Sequence, residues 1–207
     1  MPPATGTLTP LRPLEPGEVP ADPIETVIRR RGSTRRFARE PITHEQLSTM
    51  VDRATRGIAA DCLNPAGGTL ADLYLIVNAV EGLAPGAYVL DHEQQALELL
   101  KGGTFRDLAG ALALGQDLGA DAAANIYFLV NLAPVLERFG NRGYRVAQLE
   151  AAVTAGKLYL ATYALRLGAT GLTFFDDDVT RFFSPHAAGK SVLFLLALGR
   201  PFKQDKT

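Results

Sequence analysis

The chain has 207 residues, 47% of them hydrophobic and 21% charged, which is enough apolar side chain for one sizeable core and excludes disorder throughout. A formal net charge of -1 excludes a global basic field for nucleic acid or anionic membrane, and a single cysteine, Cys62, excludes an intrachain disulfide framework. No apolar run approaches the roughly 18 residues of a membrane span, and the chain does not start with a basic stretch followed by an apolar one, so a cytoplasmic protein without a secretory signal is expected.

Residues 1–22 read as a leader rich in proline (Pro2, Pro3, Pro10, Pro13, Pro16 and Pro20) that runs extended, either as a disordered tail or as an arm laid over a partner subunit. Residues 23–207 read as one domain. Ile24, Val27 and Ile28 recur at helical spacing after Asp22-Pro23. Thr43 and Gln46 form a capping box that opens a helix with Leu47, Met50, Val51 and Ala54 on its apolar stripe. Asn64-Pro65-Ala66-Gly67-Gly68 is a loop by composition, and Leu73 to Asn78 is a buried strand. Gly86–Asp91 and Ala96–Leu100 are strands joined by hairpin-length turns.

Phe105 to Leu118 is expected as one helix and Asn125 to Leu132 as a buried strand ended by Pro134. Tyr144 to Leu167 is the longest helical stretch, with Val146, Leu149, Val153, Leu160, Tyr163, Ala164 and Leu167 as its apolar side and Gly168 as the residue that stops it. Gly171 to Phe175 is extended, Val179 to Phe183 is a helical turn, and Ser191 to Leu198 is the last strand. Strands interleaved with helices in this order give an α+β class in which helices flank a mostly antiparallel sheet.

The densest charge is a run of arginines at 29, 30, 31, 35, 36 and 39. Two readings fit it. One is a solvated basic face or a weak nucleic-acid patch. The other is a site for a single phosphate, since arginine forks match phosphate geometry, Ser33 adds a hydroxyl, and the Gly32-Ser33-Thr34 break exposes backbone N–H groups. No GxGxxG, Walker A, HExxH, CxxC or GxSxG segment occurs, so no dinucleotide fold, P-loop, zinc site or serine-hydrolase elbow is expected, and no metal. Asp176-Asp177-Asp178 reads as a solvated helix cap, and Cys62 as a small packed residue.

Arg31-Gly32-Ser33-Thr34-Arg35-Arg36-Phe37 resembles the R-x-S-x-R-x-F motif of nitroreductase-like FMN-dependent oxidoreductases. Further segments resemble the SagB-type branch, which makes thiazole and oxazole rings, in the same order along the chain: Asn64 to Gly68 followed by Leu73-Tyr74, Glu81 to Tyr88, Leu158 to Ala169 with Phe174 to Asp178, and Gly199-Arg200-Pro201. The resemblance implies a nitroreductase-like fold, an antiparallel sheet between helices that works as a homodimer with FMN at the interface. It implies that Arg31, Gly32, Ser33 and Arg35 hold the FMN phosphate and ribityl chain, and that Asn64, Pro65, Ala66 and Gly67 cover the flavin of the other subunit. It implies that the backbone at Leu172-Thr173 offers an N–H to the flavin N5 edge, and it adds Arg200 to the cofactor site. Two-electron transfer from NAD(P)H to a small organic acceptor is the implied activity.

The departures bear on mechanism. Azoline-oxidising members carry a Lys-Tyr pair where this chain has Arg138-Phe139. Arginine does not give up its proton in the useful range and phenylalanine has no hydroxyl, so the residue that would take a proton from a ring carbon is missing. The family's E-A-G-H-x-x-Q-N reads here as Glu150 to Lys157, with Val153, Gly156 and Lys157 in place of His, Gln and Asn. The site is therefore less polar, or rebuilt around Lys157. A flavoenzyme that needs no side-chain base competes with a degenerate flavin-binding or partner module of a peptide-modification pathway, and a flavin-free basic-patch protein is the third class.

Overall fold

A computed structural model describes residues 6–63 and 69–202. Its elements, in chain order, are β1 (Leu8–Pro10), α1 (Ile24–Arg30), β2 (Ile42–Thr43), α2 (His44–Thr55), β3 (Ala71–Val77), β4 (Val80–Glu81), β5 (Gly86–Asp91), β6 (Ala96–Gly102), α3 (Arg106–Leu112), α4 (Asp117–Asp121), β7 (Ala124–Val130), α5 (Leu132–Phe139), α6 (Gly143–Ala164), β8 (Gly168–Leu172), α7 (Asp176–Phe183) and β9 (Ser191–Gly199). Seven strands form one sheet in the order β1-β6-β5-β3-β7-β9-β8, and every pairing in it is antiparallel. The short β2 and β4 pair in parallel beside it.

Alternation along the central strands divides the core in two. Leu73, Leu75 and Val77 of β3 and Ile126, Phe128 and Val130 of β7 face the layer of α2, α5 and α6. Tyr74, Ile76, Tyr127 and Leu129 point the other way, toward α3 and α7. Both faces are covered, so these strands read as unbroken apolar runs. A bulge at Phe128/Leu129 inserts an extra residue in β9 and lets both Leu193 and Leu196 reach the α6 side. The expected α+β architecture with a mostly antiparallel sheet is thus present.

Several local expectations change. The stretch from Phe105 to Leu118 is two helices, because Leu114 and Gly115 take positive φ (57° and 73°) and turn the chain between them. The second helix then packs on the first through Gly119, where a Cβ would lie 2.7 Å from the Ala109 carbonyl oxygen. Strand β7 stops at Val130, and Pro134 lies in the first turn of α5, where its missing N–H breaks no intrahelical bond. The left-handed residue after α6 is Arg166 (φ 59°), not Gly168, which opens β8. Strand β8 therefore begins and ends three residues earlier than expected.

The largest change concerns α6. Its buried face carries Ala147, Glu150, Ala151, Thr154, Ala155, Leu158, Tyr159 and Thr162, whereas Leu149 is 60% exposed and Val153 and Leu160 are only half-buried. The helix is apolar all round, so periodicity does not choose a face. The sheet chooses the small residues, which allow the helix to approach closely. In the leader, β1 pairs with β6 of the same chain, the Leu14 N–H donates to Thr49 Oγ1 at 2.8 Å, and Leu11, Leu14 and Val19 pack against the core. The capping box at Thr43 and Gln46 is formed as read from sequence. Cys62 is half-buried instead of packed in the core.

All three histidines are held below the ordinary imidazole pKa. Burial is the main cause for His44, His92 and His186; Arg12 adds to the effect at His44 and Lys190 at His186, while carboxylates oppose it at all three. The unfolded chain takes up these protons near pH 6.5 and the folded chain resists them. Their contribution is thus complete above about pH 6.5 and is lost as the pH falls from there toward the folded-state values. Urea midpoints measured at pH 7.5, 6 and 5 should fall steadily, and His186→Gln should flatten the slope. Equal midpoints across that range would contradict the assignment.

Candidate functional site

The segment Arg31 to Phe37 leaves the end of α1 and runs along the free edge of β8, which is the last strand of the sheet. The Thr34 N–H donates to the Ala169 carbonyl at 2.9 Å, and Thr34 Oγ1 lies 3.2 Å from the Tyr163 hydroxyl. Thr34 is buried, and it is buried against glycine: a Cβ at Gly168 would lie 2.2 Å from Thr34 Oγ1. Phe37 closes the other end. It is buried, bridges to Pro201 and contacts Ala122 and Ala197. A buried threonine and a buried phenylalanine thus pin the segment, and the residues around Thr34 are turned outward.

Ser33 and Arg35 are exposed and Gly32 half-buried. The arginines of the run divide by what holds them. Arg30 is tied to Asp22 and to the Tyr163 carbonyl, Arg39 to Asp121, and Arg36 lies over the Phe202 ring at 4.4 Å. Among the described residues the Arg31 and Arg35 side chains have no carboxylate partner, and the Ser33 hydroxyl has no hydrogen bond. Arg31 is held by stacking alone, with its guanidinium carbon 4.5 Å above the Tyr159 ring. Two guanidinium groups and a hydroxyl without internal partners, at one bend of the backbone, suit a bound dianion better than a solvated face.

Tyr159 and Tyr163, one turn apart on α6, are stacked nearly parallel with centroids 6.3 Å apart. The Gly171 N–H donates to the Tyr159 hydroxyl at 3.0 Å. Along β8, then, Ala169 and Gly171 direct their backbone groups away from β9, toward the arginine segment and α6. Thr173 follows Leu172, the last residue of β8. Thr173 is exposed, and its hydroxyl accepts from Gln116 Nε2 at 3.2 Å. The structure therefore brings Arg31, Gly32, Ser33 and Arg35 to the same strand edge as Leu172 and Thr173.

Arg200 stands apart. Its Nε donates to the Pro41 carbonyl at 2.8 Å and lies 3.9 Å from Glu40, in a cavity of about 370 Å³ that Arg166 also lines. A neighbouring cavity of similar volume is lined by Thr34, Arg35, Arg36 and Tyr163, and the two share only Pro201 and Phe202. Asn64, Pro65, Ala66 and Gly67 lie outside the described residues.

Two residues of α6 hold the chain on either side of that segment. Lys157 Nζ donates to the Gly57 carbonyl at 2.6 Å. Two turns earlier, the buried Glu150 accepts from the Ala71 N–H at 3.1 Å and from Thr154 Oγ1 at 3.3 Å, and burial raises its pKa. In this structure the Lys157 amine is thus bonded to the backbone. No Cβ contact lies within 4 Å of Gly156, which faces open space. Arg138 stacks over Phe139 at 4.6 Å. The three aspartates form the first turn of α7, with Asp178 paired to Arg181, and no group of metal-ligand residues occurs among the described residues. No helix among them is long and apolar enough to cross a membrane.

A family model for the nitroreductases matches residues 28–200. The chain belongs to the nitroreductase family. It is 27% identical over 164 residues to a nitroreductase-type protein of Methanocaldococcus jannaschii, covering 75% of this chain and 81% of that one. Among solved structures, a nitroreductase-type protein of Anabaena variabilis superposes with a TM-score of 0.79 at 29% identity; the match covers 86% of this chain but only 38% of that longer one. A Ralstonia eutropha protein of the same type matches at a TM-score of 0.71 and 20% identity, over 98% of this chain and 99% of that one. The Escherichia coli microcin synthetase McbBCD complex, solved with truncated pro-MccB17 bound, contains a similar fold (TM-score 0.69, 16% identity, 92% of this chain and 77% of that one). In this nitroreductase-family chain the residues that sequence reasoning missed are Tyr159 and Tyr163. They lie in the stretch from Leu158 to Ala169 already set apart, but only the packing of α6 on β8 shows what they touch.

The close approach at Gly168 is open to measurement. Gly168→Ala should destabilise the fold by about 1–3 kcal/mol in urea, as overpacked sites do. The same change in a Thr34→Ala background should cost less, because the hydroxyl it strikes is gone. Equal costs in the two backgrounds would mean that another contact is responsible.

Proposed function

We propose that this chain is an FMN-dependent oxidoreductase that takes reducing equivalents from NAD(P)H and passes them to a small organic acceptor. The observation that carries the reading is the set of donors at one bend, Arg31, Ser33 and Arg35, whose side chains have no hydrogen-bond or carboxylate partner among the described residues, pinned beside the outward edge of β8. Arg31 and Arg35 would hold the FMN phosphate and Ser33 the ribityl chain, with Gly32 leaving room for their approach. The backbone at Leu172–Thr173 would meet the flavin ring. Flavin, when bound, supplies two-electron transfer without a side-chain base, which fits a chain that has Arg138 and Phe139 where azoline-oxidising relatives carry Lys and Tyr. What the protein contributes is position, a fixed pair of cations, and an edge N–H.

The second copy of a homodimer would supply Asn64, Pro65, Ala66 and Gly67 over the flavin. The exposed Leu149, with the half-buried Val153 and Leu160 beside it on α6, gives an apolar stripe on which such a copy would pack. In this reading Arg200, whose Nε donates to the Pro41 carbonyl, would complete the cofactor site from the neighbouring cavity that it lines.

Purified protein should be yellow, or turn yellow with added FMN, and be bleached by NADH or NADPH. Arg31→Ala combined with Arg35→Ala should raise the FMN dissociation constant by about a hundredfold or more, from two charge-assisted contacts at 1.5–3 kcal/mol each, while the far-UV spectrum is unchanged. Unchanged FMN affinity in a folded double variant would refute the phosphate assignment.

One observation favours a second reading. The microcin synthetase complex contains a similar fold and was solved with truncated pro-MccB17 bound. A module of a peptide-modification assembly would also hold FMN. The missing base predicts that a thiazoline peptide is not oxidised at an appreciable rate. Turnover of such a peptide would overturn the argument from Arg138 and Phe139 and favour this second role.

A further inference from the structure

One side chain touches both Arg31 and Gly171, the residue just before Leu172 on the β8 edge. The Tyr159 ring lies under the Arg31 guanidinium at 4.5 Å, and its hydroxyl accepts the Gly171 N–H at 3.0 Å. Its ring is backed by Tyr163, whose hydroxyl in turn meets Thr34 Oγ1 at 3.2 Å. Tyr159 is 6% exposed and sits in the C-terminal part of a 22-residue helix that is packed on β8 and β9, so it has little freedom to move. Arg31, by contrast, is exposed and lacks any carboxylate or hydrogen-bonded partner for its side chain among the described residues. Without the ring, its long side chain would sample many rotamers, and ordering them would be charged against ligand binding.

We propose that Tyr159 is the positioning residue of this site: its ring presets Arg31 for the phosphate, and its hydroxyl fixes the β8 edge that presents Leu172 and Thr173, so that one side chain sets the distance between the two ends of the ligand. The inference rests on the flavin reading above. The aromatic face supplies the electrostatic attraction of a cation over a π-system. The hydroxyl satisfies an edge N–H that would otherwise be free to turn. The two functions reside in different atoms and are separable by substitution.

Tyr159→Phe keeps the ring and removes the hydroxyl. It should bind FMN within about twofold of wild type, while the Gly171 amide exchanges about tenfold faster and the absorption band of the bound flavin shifts. Tyr159→Leu removes both. It should weaken FMN about tenfold, the middle of the range for a cation over an aromatic ring, and should weaken riboflavin, which has no phosphate, much less. In an Arg31→Ala background, Tyr159→Leu should add no more than the roughly twofold change allowed for Tyr159→Phe, because the ring acts through Arg31. A merely structural tyrosine would not show that dependence. An equal tenfold loss with and without Arg31, or Tyr159→Leu that binds FMN like the wild type, would overturn the proposal. A wild-type chain that takes up no FMN refutes the flavin reading itself, which is a different result from a wild type that binds and a variant that binds equally well.

Discussion

Thr34 occupies the space that a side chain at residue 168 would need. A Cβ there would come within 2.2 Å of the threonine oxygen, so the arginine segment lies flush on the edge of β8 only because the strand opens with glycine. From that contact the rest follows. The Thr34 N–H reaches the Ala169 carbonyl, Phe37 closes the far end against Pro201, and the residues between them turn outward. An edge strand is ordinarily a liability, since it presents unpaired backbone groups. Here two of those groups are met by Thr34 and Tyr159, and the edge becomes the floor of the candidate site.

The long helix α6 serves this arrangement on its buried face. Its small residues let it come close to the sheet, and its few large or polar ones each have a specific partner. Tyr159 and Tyr163 meet the arginine segment. Glu150 holds Ala71 at the start of β3, and Lys157 holds Gly57. A buried carboxylate is costly unless its lone pairs are satisfied, and Glu150 accepts from backbone and from Thr154. Where the resembled pattern has polar residues on this helix, the chain has Val153, Gly156 and Lys157. These residues leave an outward stripe that is apolar and a lysine bonded to the backbone.

Much of this was legible without coordinates, and the reason differs from feature to feature. The capping box at Thr43 and the strand Gly86–Asp91 are local: a side chain bonding three residues away, or a run bounded by turn residues, needs nothing distant to form. The two halves of the stretch from Phe105 to Leu118 were not separable, because the break depends on Leu114 taking a left-handed conformation that its own residue type disfavours. Leu149 looked like a core residue and is exposed, since a helix apolar on every side leaves the choice of face to whatever it packs against.

By itself the sequence determined which residues are available: an arginine-rich bend with a serine between, strands apolar on both faces, and a leader whose prolines forbid a helix. These are properties of residue type and short spacing. Tertiary structure alone decided which arginines are spent and which are free. Arg30 and Arg39 find aspartates, Arg200 finds a carbonyl, and Arg31 among the described residues finds a tyrosine ring 128 positions away in the chain. Those partners come from distant parts of the chain, and no local pattern encodes which of several identical cations will meet a carboxylate and which will be left for a ligand.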